Sequence, residues 1–199
     1  MKNIFIAMLL IGVIALAGCV NNSNTNTTNQ QSYQNPQQNI SQNSGRSGVV
    51  AVHFTELYPF LPSDPAGYTG DEPQGYAASD SGGNFSFASK RYIKDGTEDY
   101  DYPLRITVQI IDTAFSEDVP FVYLQQTEFE DDTGYGRKTT ISGYSALEKY
   151  SKGDATVPDT YGVYVYINER FIVVSEANDR ETAYKIANRI NYAGIAALG

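Results

Sequence analysis

Cysteine, histidine and tryptophan are almost absent from this sequence. Its 199 residues include one cysteine, one histidine and no tryptophan. A single cysteine excludes a disulfide within the chain. Cys19 and His53 together cannot supply the four nitrogen and sulfur ligands of a structural zinc site. The stability of the folded part must therefore come from packing and hydrogen bonds.

Basic residues are scarce as well. The 14 Lys and Arg residues are outnumbered by 23 Asp and Glu residues, so the net charge is −9. Removing residues 1–18 would take away Lys2 and change the net charge to −10. Such a charge disfavours non-specific binding to nucleic acid or to anionic lipid headgroups. We therefore expect no nucleic-acid partner.

The longest uncharged apolar run is residues 4–18, directly before the cysteine. A helix of that length is ~22 Å long, which is short of the ~30 Å hydrocarbon core of a bilayer. Its length and the preceding Lys2 favour a cleaved signal peptide over an uncleaved N-terminal helix. The run ends in Leu16-Ala17-Gly18-Cys19, which resembles the lipobox of prokaryotic lipoproteins, archaeal ones included.

In the lipoproteins that this segment resembles, the lipobox cysteine becomes the N-terminus and carries a two-chain lipid. The resemblance implies that residues 1–18 are the signal peptide and that Cys19 is the lipid attachment site. Two long lipid chains are enough for stable anchoring without a polybasic patch. The lipobox resemblance also implies a location on the outer face of the cytoplasmic membrane, or on another extracytoplasmic membrane surface.

A polar tether is predicted between Cys19 and the folded domain. Asn, Gln, Ser and Thr make up 22 of residues 20–48, and a segment with so little apolar area cannot offset its ordering entropy. Residues 49–199 are long enough for a single domain with a core. Four Asn residues begin N-glycosylation sequons, a short pattern that arises easily by chance in Asn-rich text: Asn21, Asn26, Asn39 and Asn84.

Period-two alternation predicts two β-hairpins in the domain. The first pairs residues 84–93 with residues 103–112, and the second pairs residues 161–167 with residues 170–176 through Asn168-Glu169. Additional strands are predicted at Val49–Phe54, at residues 75–80 and around Ser142-Gly143. Residues 56–75 contain four prolines and predict a long loop, with Leu57, Phe60 and Leu61 packed at the edge of the domain.

Two helices complete the predicted fold. One covers residues 117–129, and the other runs from about Asp179 to Leu198 with Ala183, Ile186, Ala187 and Ile190 on its apolar face. This order predicts an α+β fold, an antiparallel sheet with a middle helix and a C-terminal helix packed on it. The layout resembles the Mog1/PsbP type of α/β/α sandwich, whose members include small secreted or lipid-anchored proteins.

No catalytic set, metal site or cofactor site is predicted. The sequence contains no Gly-x-Ser-x-Gly elbow and no Ser-x-x-Lys, and we interpret His53 as a packed strand residue. Two acidic turns lack the EF-hand order, so we interpret them as solvated. These turns are residues 95–101, with Asp95, Glu98, Asp99 and Asp101, and residues 128–132, with Glu128, Glu130, Asp131 and Asp132.

The abundant tyrosines leave two interpretations open. Seven of the 16 are candidates for stacking on a sugar or a peptide, although tyrosine also packs well between a sheet and a helix: Tyr58, Tyr68, Tyr76, Tyr92, Tyr161, Tyr164 and Tyr166. We expect a non-enzymatic surface module that binds an envelope protein or glycan. The alternatives are an envelope hydrolase with a carboxylate pair, and an assembly helper for a membrane complex.

Overall fold

The computed structural model describes residues 48–80, 83–100, 102–114, 128–155 and 157–199. These residues form a mostly antiparallel sheet with a few short helices, which fits the α+β class. The sheet has nine strands: β1 Tyr68–Gly70, β2 Gln74–Asp80, β3 Gly83–Lys94, β4 Arg105–Asp112, β5 Phe129–Asp131, β6 Gly134–Ile141, β7 Tyr144–Ser151, β8 Thr160–Ile167 and β9 Phe171–Ala177.

The strand order across the sheet is β1-β3-β4-β9-β8-β7-β6-β5, and β2 pairs with β3 beside β1. Every described pairing is antiparallel. Strands β5 to β9 therefore form a meander that returns to the centre, where β9 pairs with β4. Strand β5 lies at the edge of the sheet, five positions from β4.

Among the described residues, three short helices accompany the sheet: α1 Phe54–Leu57, α2 Arg180–Ala187 and α3 Tyr192–Ala196. A 3-10 helix at Tyr58–Phe60 follows α1. Helices α2 and α3 pack on the central strands, where Ile106, Val163 and Val173 are buried against Ile186 and Ile195. The face that these helices cover is called the helix face below.

The opposite face of the sheet also buries apolar side chains. Leu147 on β7 and Ile172 and Val174 on β9 are nearly inaccessible. In the register of the sheet these residues alternate with helix-face residues such as Ala146 and Val173. We call this second surface the rear face.

Both predicted hairpins are confirmed. Strands β3 and β4 pair from Ser86↔Asp112 to Ile93↔Arg105, and β8 and β9 pair from Tyr161↔Ala177 to Ile167↔Phe171. The turn residues Asn168 and Glu169 both have positive φ, 51° and 57°, as a type I′ turn requires. Residues 144–151 and 134–141 are two strands around Ser142-Gly143, as the sequence indicates.

The prediction of a strand at Val49–Phe54 is wrong. Asp112 accepts a hydrogen bond from the Val52 amide at 2.8 Å, and Arg170 donates one to the Val50 carbonyl at 3.3 Å. His53 is then the N-cap of α1, with Glu56 completing a capping box. These side chains bind backbone groups that a sheet partner would otherwise bind, so the segment is tied to the sheet without joining it.

The predicted C-terminal helix is two helices. Asp179 is the N-cap of α2 and accepts from the Thr182 amide at 2.8 Å. Asn188 ends α2, and the Asn191 side chain begins α3 by accepting from the Gly194 amide at 3.0 Å. Asparagine side chains compete for backbone groups inside a helix, which explains the break.

The predicted middle helix, residues 117–129, lies outside the described residues except for its end. The prediction that the helix extends to residue 129 is wrong, because Phe129 begins β5 and pairs with Gly136. The predicted long loop at residues 56–75 contains α1, the 3-10 helix and β1. Within it Leu57 and Leu61 are buried and Phe60 packs against the core, as predicted.

Candidate functional site

A pocket of about 170 Å³ lies at one end of the sheet. Three segments meet there: the β3–β4 loop, the β7–β8 loop and the link from β9 to α2. The strands contribute Arg105, Thr107, Thr160 and Glu176 to its lining, and the loops contribute Tyr102, Pro103, Val157 and Pro158. Thr107 pairs with Glu176 in the register of β4 and β9, so rear-face positions supply part of the lining.

Asn178 connects the segments around the pocket. Its side-chain oxygen accepts from the Arg105 amide at 2.7 Å, and its side-chain nitrogen donates to the Asp159 carbonyl at 3.3 Å. One amide side chain therefore bonds to the backbone beside both loops.

The β7–β8 loop is further held by Asp159. Its carboxylate accepts from the Gly153 amide at 2.8 Å and from the Tyr150 hydroxyl at 3.0 Å. The backbone also approaches itself closely, because a Cβ at Gly153 would lie 2.0 Å from the Val157 carbonyl oxygen. These bonds position Val157 and Pro158 before a ligand arrives, which lowers the entropy cost of binding.

The described residues that line the pocket include one acidic and one basic side chain. Glu176 is half-buried and accepts from the Tyr164 hydroxyl at 2.8 Å. The Tyr164 ring lies close to Gly162, where a Cβ would come within 2.6 Å of it. Across the described residues, the guanidinium of Arg105 makes no hydrogen bond or ion pair, so its donors are available to a ligand.

An exposed aromatic residue lines the pocket. Tyr102 is 51 % exposed, and Val157 on the other loop is 46 % exposed. Tyr100, two residues earlier, is 61 % exposed but does not line the pocket. Exposed apolar groups around a polar centre are typical of a ligand site.

A second polar cluster lies on the helix face around Glu148 and has a structural role. Its carboxylate accepts from Arg180 Nε at 2.7 Å and Nη2 at 2.8 Å, and from the hydroxyls of Tyr135 and Tyr184. The Arg180 hydrogen bonds, together with those of the two tyrosines, outweigh burial and hold the pKa of Glu148 at about 2. Burial and the contact with Glu148 raise the pKa of Tyr135 to about 12. The cluster joins β6 and β7 to the first turn of α2.

Acid should weaken this link. Because the pKa of Glu148 is about 2 in the folded protein and near 4.5 when unfolded, its contribution is complete above pH 4.5 and is lost as the pH falls towards 2. The contribution is at most about 3 kcal/mol. Urea unfolding between pH 6 and 2.5 should show a steeper loss of stability for the native chain than for Glu148→Gln. Parallel curves would contradict this account.

The tyrosines predicted as stacking candidates mostly pack or hold other groups. Tyr92 is fully buried and donates to the Pro62 carbonyl at 2.6 Å. Tyr161 stacks on Tyr150 with ring centres 4.7 Å apart. Tyr164 binds Glu176, and Tyr76 is exposed beside Phe87. The remaining three are half-buried: Tyr58, Tyr68 and Tyr166.

The acidic turns hold their own backbone and neighbours. Asp131 accepts from the Thr133 and Gly134 amides, and Glu130 pairs with Arg137 at 2.9 Å. Asp95 accepts from the Thr69 hydroxyl at 2.9 Å. Within the described ranges, no group of three or more His, Cys, Asp or Glu side chains is arranged to hold a metal ion. Asp101 lies outside those ranges.

The remaining candidate residues are dispersed. His53 is exposed at the start of α1, so its interpretation as a packed strand residue is wrong. Asn84 lies in β3 and donates to the Val49 carbonyl at 3.2 Å, a bond that a glycan on this nitrogen would disturb. Four candidate residues lie outside the described residues: Cys19, Asn21, Asn26 and Asn39.

In the part of the chain that is described, no helix is long and apolar enough to cross a membrane.

Comparison of the chain with protein-family models, with curated proteins and with solved structures found no match.

The pocket itself was not predicted from the sequence. Its members come from residues 102–107, 157–160 and 176–178, which only the sheet brings together. The one local signal was Tyr102 next to Pro103 after an acidic turn, an exposed position for a large ring.

Proposed function

We propose that this protein is a lipid-anchored surface module that binds an envelope component, a protein or a glycan, in the pocket at Tyr102. The observation that carries the proposal is the combination of an exposed ring, an Arg105 guanidinium that pairs with no described residue, and a loop braced by Asp159. An enzyme with a carboxylate pair would need a second acid in the cleft, whereas Glu176 is the single acidic residue among the described residues that line the pocket.

The binding role can be tested with a matched pair of variants. Envelope fractions should be captured by the full chain and by Tyr100→Ala, whereas Tyr102→Ala should capture several-fold less of the same component. Both substitutions remove one exposed tyrosine, but only Tyr102 lines the pocket. Capture that is equal for all three proteins would place any binding elsewhere and overturn the proposal.

The proposed membrane attachment is through Cys19. Its support is the apolar run of residues 4–18 followed by Leu16-Ala17-Gly18-Cys19. Mass spectrometry of the membrane form should find a lipid-modified peptide that begins at Cys19. Cys19→Ser should leave the chain uncleaved or released from the membrane. Detection of Met1 on the mature native chain would contradict the proposal.

We also propose that the fold is an α/β/α sandwich of the Mog1/PsbP type, with a middle helix over residues 117–127 on the rear face. Strands β4 and β5 lie five positions apart, which is ~24 Å across the sheet. A helix of these residues is ~17 Å long, so with short ends it spans that distance. Slow hydrogen exchange in residues 117–127 is expected, and fast exchange throughout them would overturn the proposal.

A further inference from the structure

We infer that the pocket at Tyr102 binds one ring of a neutral saccharide, so the envelope component is a glycan. The inference rests on the proposed binding function and narrows its ligand. Its first support is size. The volume of about 170 Å³ is below the ~300–1,000 Å³ of pockets for drug-sized ligands. There is room for one ring-sized group, and the rest of a glycan chain would extend into solvent.

The hydrogen-bonding groups of the pocket form a mixed set. The Arg105 guanidinium can only donate, the Glu176 carboxylate can only accept when ionised, and the hydroxyls of Thr107 and Thr160 can do both. A sugar hydroxyl donates and accepts at the same time. A polyhydroxylated ring can therefore bind the acid, the base and the hydroxyls of this pocket together.

Charge disfavours an anionic ligand. Such a ligand would attract Arg105 but would meet the Glu176 carboxylate in the same pocket. The net charge of the whole chain is −9, which repels anions on approach. A cationic ligand would be attracted by the chain but would meet the positive charge of Arg105 in the pocket. A neutral ligand avoids both penalties.

The loops supply the apolar side of the site. The ring of Tyr102 is about half exposed and adjoins Pro103, and Val157 and Pro158 stand on the other loop. The C–H face of a sugar ring is apolar enough to lie on an aromatic ring, while the tyrosine hydroxyl stays in water. The pocket thus offers apolar contact from its loops and hydrogen bonds from its strands.

Titration with soluble trisaccharides tests the inference. The full chain, purified in a detergent without a sugar headgroup, is titrated with neutral glucose, mannose and N-acetylglucosamine trisaccharides up to about 10 mM, since weak ligands have Kd values near 1 mM. At least one should bind. Tyr102→Ala should weaken that binding about three- to tenfold, the range that one aromatic contact gives. Tyr100→Ala should leave it unchanged.

Two further probes identify the ligand class. Glucuronate and the zwitterionic dipeptide glycylglycine should bind more weakly than the best neutral saccharide. Stronger, Tyr102-dependent binding of either would overturn the saccharide inference, as would saccharide binding that Tyr102→Ala does not change. If no saccharide binds while envelope capture still depends on Tyr102, the ligand class is wrong and the binding function stands. If envelope capture is also independent of Tyr102, both the saccharide inference and the proposed binding function of the pocket are wrong.

Discussion

Arg170→Met should destabilise the protein by about 3–5 kcal/mol, the range for breaking a buried ion pair from one side. Arg170 and Asp112 are 7 % and 0 % exposed, and two hydrogen bonds of 2.8 and 2.7 Å join them. Asp112 also accepts from the Val52 and Ala114 amides. Removal of the guanidinium leaves a carboxylate buried without a cation. The loss would be a large share of the ~5–15 kcal/mol that holds a domain together.

A surface ion pair provides the control for this substitution. Arg137 pairs with Glu130 at 2.9 Å, with exposures of 54 % and 70 %. Arg137→Met should therefore cost less than about 1 kcal/mol. Adding Asp112→Asn to Arg170→Met should recover stability, because the uncompensated charge is then gone. Urea unfolding followed by circular dichroism measures all three. Equal losses for Arg170→Met and Arg137→Met would show that the buried pair is unimportant.

The Arg170–Asp112 pair also explains why the prediction of a strand at Val49–Phe54 was wrong. The β-rich composition of Val49–Phe54 predicted a strand, but that composition describes a preference for extended backbone, not a sheet partner. The partners of this segment are Asp112 and Arg170, which lie 60 and 120 residues further along the chain. Local sequence carries no sign of them. The helix start was not marked either, because His53 is not one of the Ser, Thr, Asp or Asn residues that typically begin a capping box.

The hairpin predictions that were confirmed depended on patterns within short stretches of sequence. Each hairpin joins neighbouring strands, so the alternation of Ile106, Val108 and Ile110 with polar residues was sufficient to predict a strand and its buried face. The pocket depends on distant segments instead. Asn178 links Arg105 to Asp159, and a single sequence does not show which loops share one end of a sheet.

Ile186→Ala should cost about 2–5 kcal/mol, the range for truncating a large buried side chain. Ile186 is 1 % exposed on α2 and belongs to the same core cluster as Val163 and Val173. Ala183 and Ala187, also buried on that side of the helix, are small enough to let α2 lie close to the sheet. Truncation therefore opens a cavity between two tightly packed layers, which neighbouring side chains can fill only in part.

Lys185→Ala is the matched control for Ile186→Ala. Lys185 precedes Ile186 on the same helix and is exposed, so its loss should change stability by less than ~0.5 kcal/mol. Both residues become alanine, the best helix former, so neither substitution loses stability through helix propensity and a loss reports burial. The free energy of unfolding in urea decides the matter. Small losses of similar size for the two variants would mean that α2 contributes little to the core, and the packing of the helix face would need another explanation.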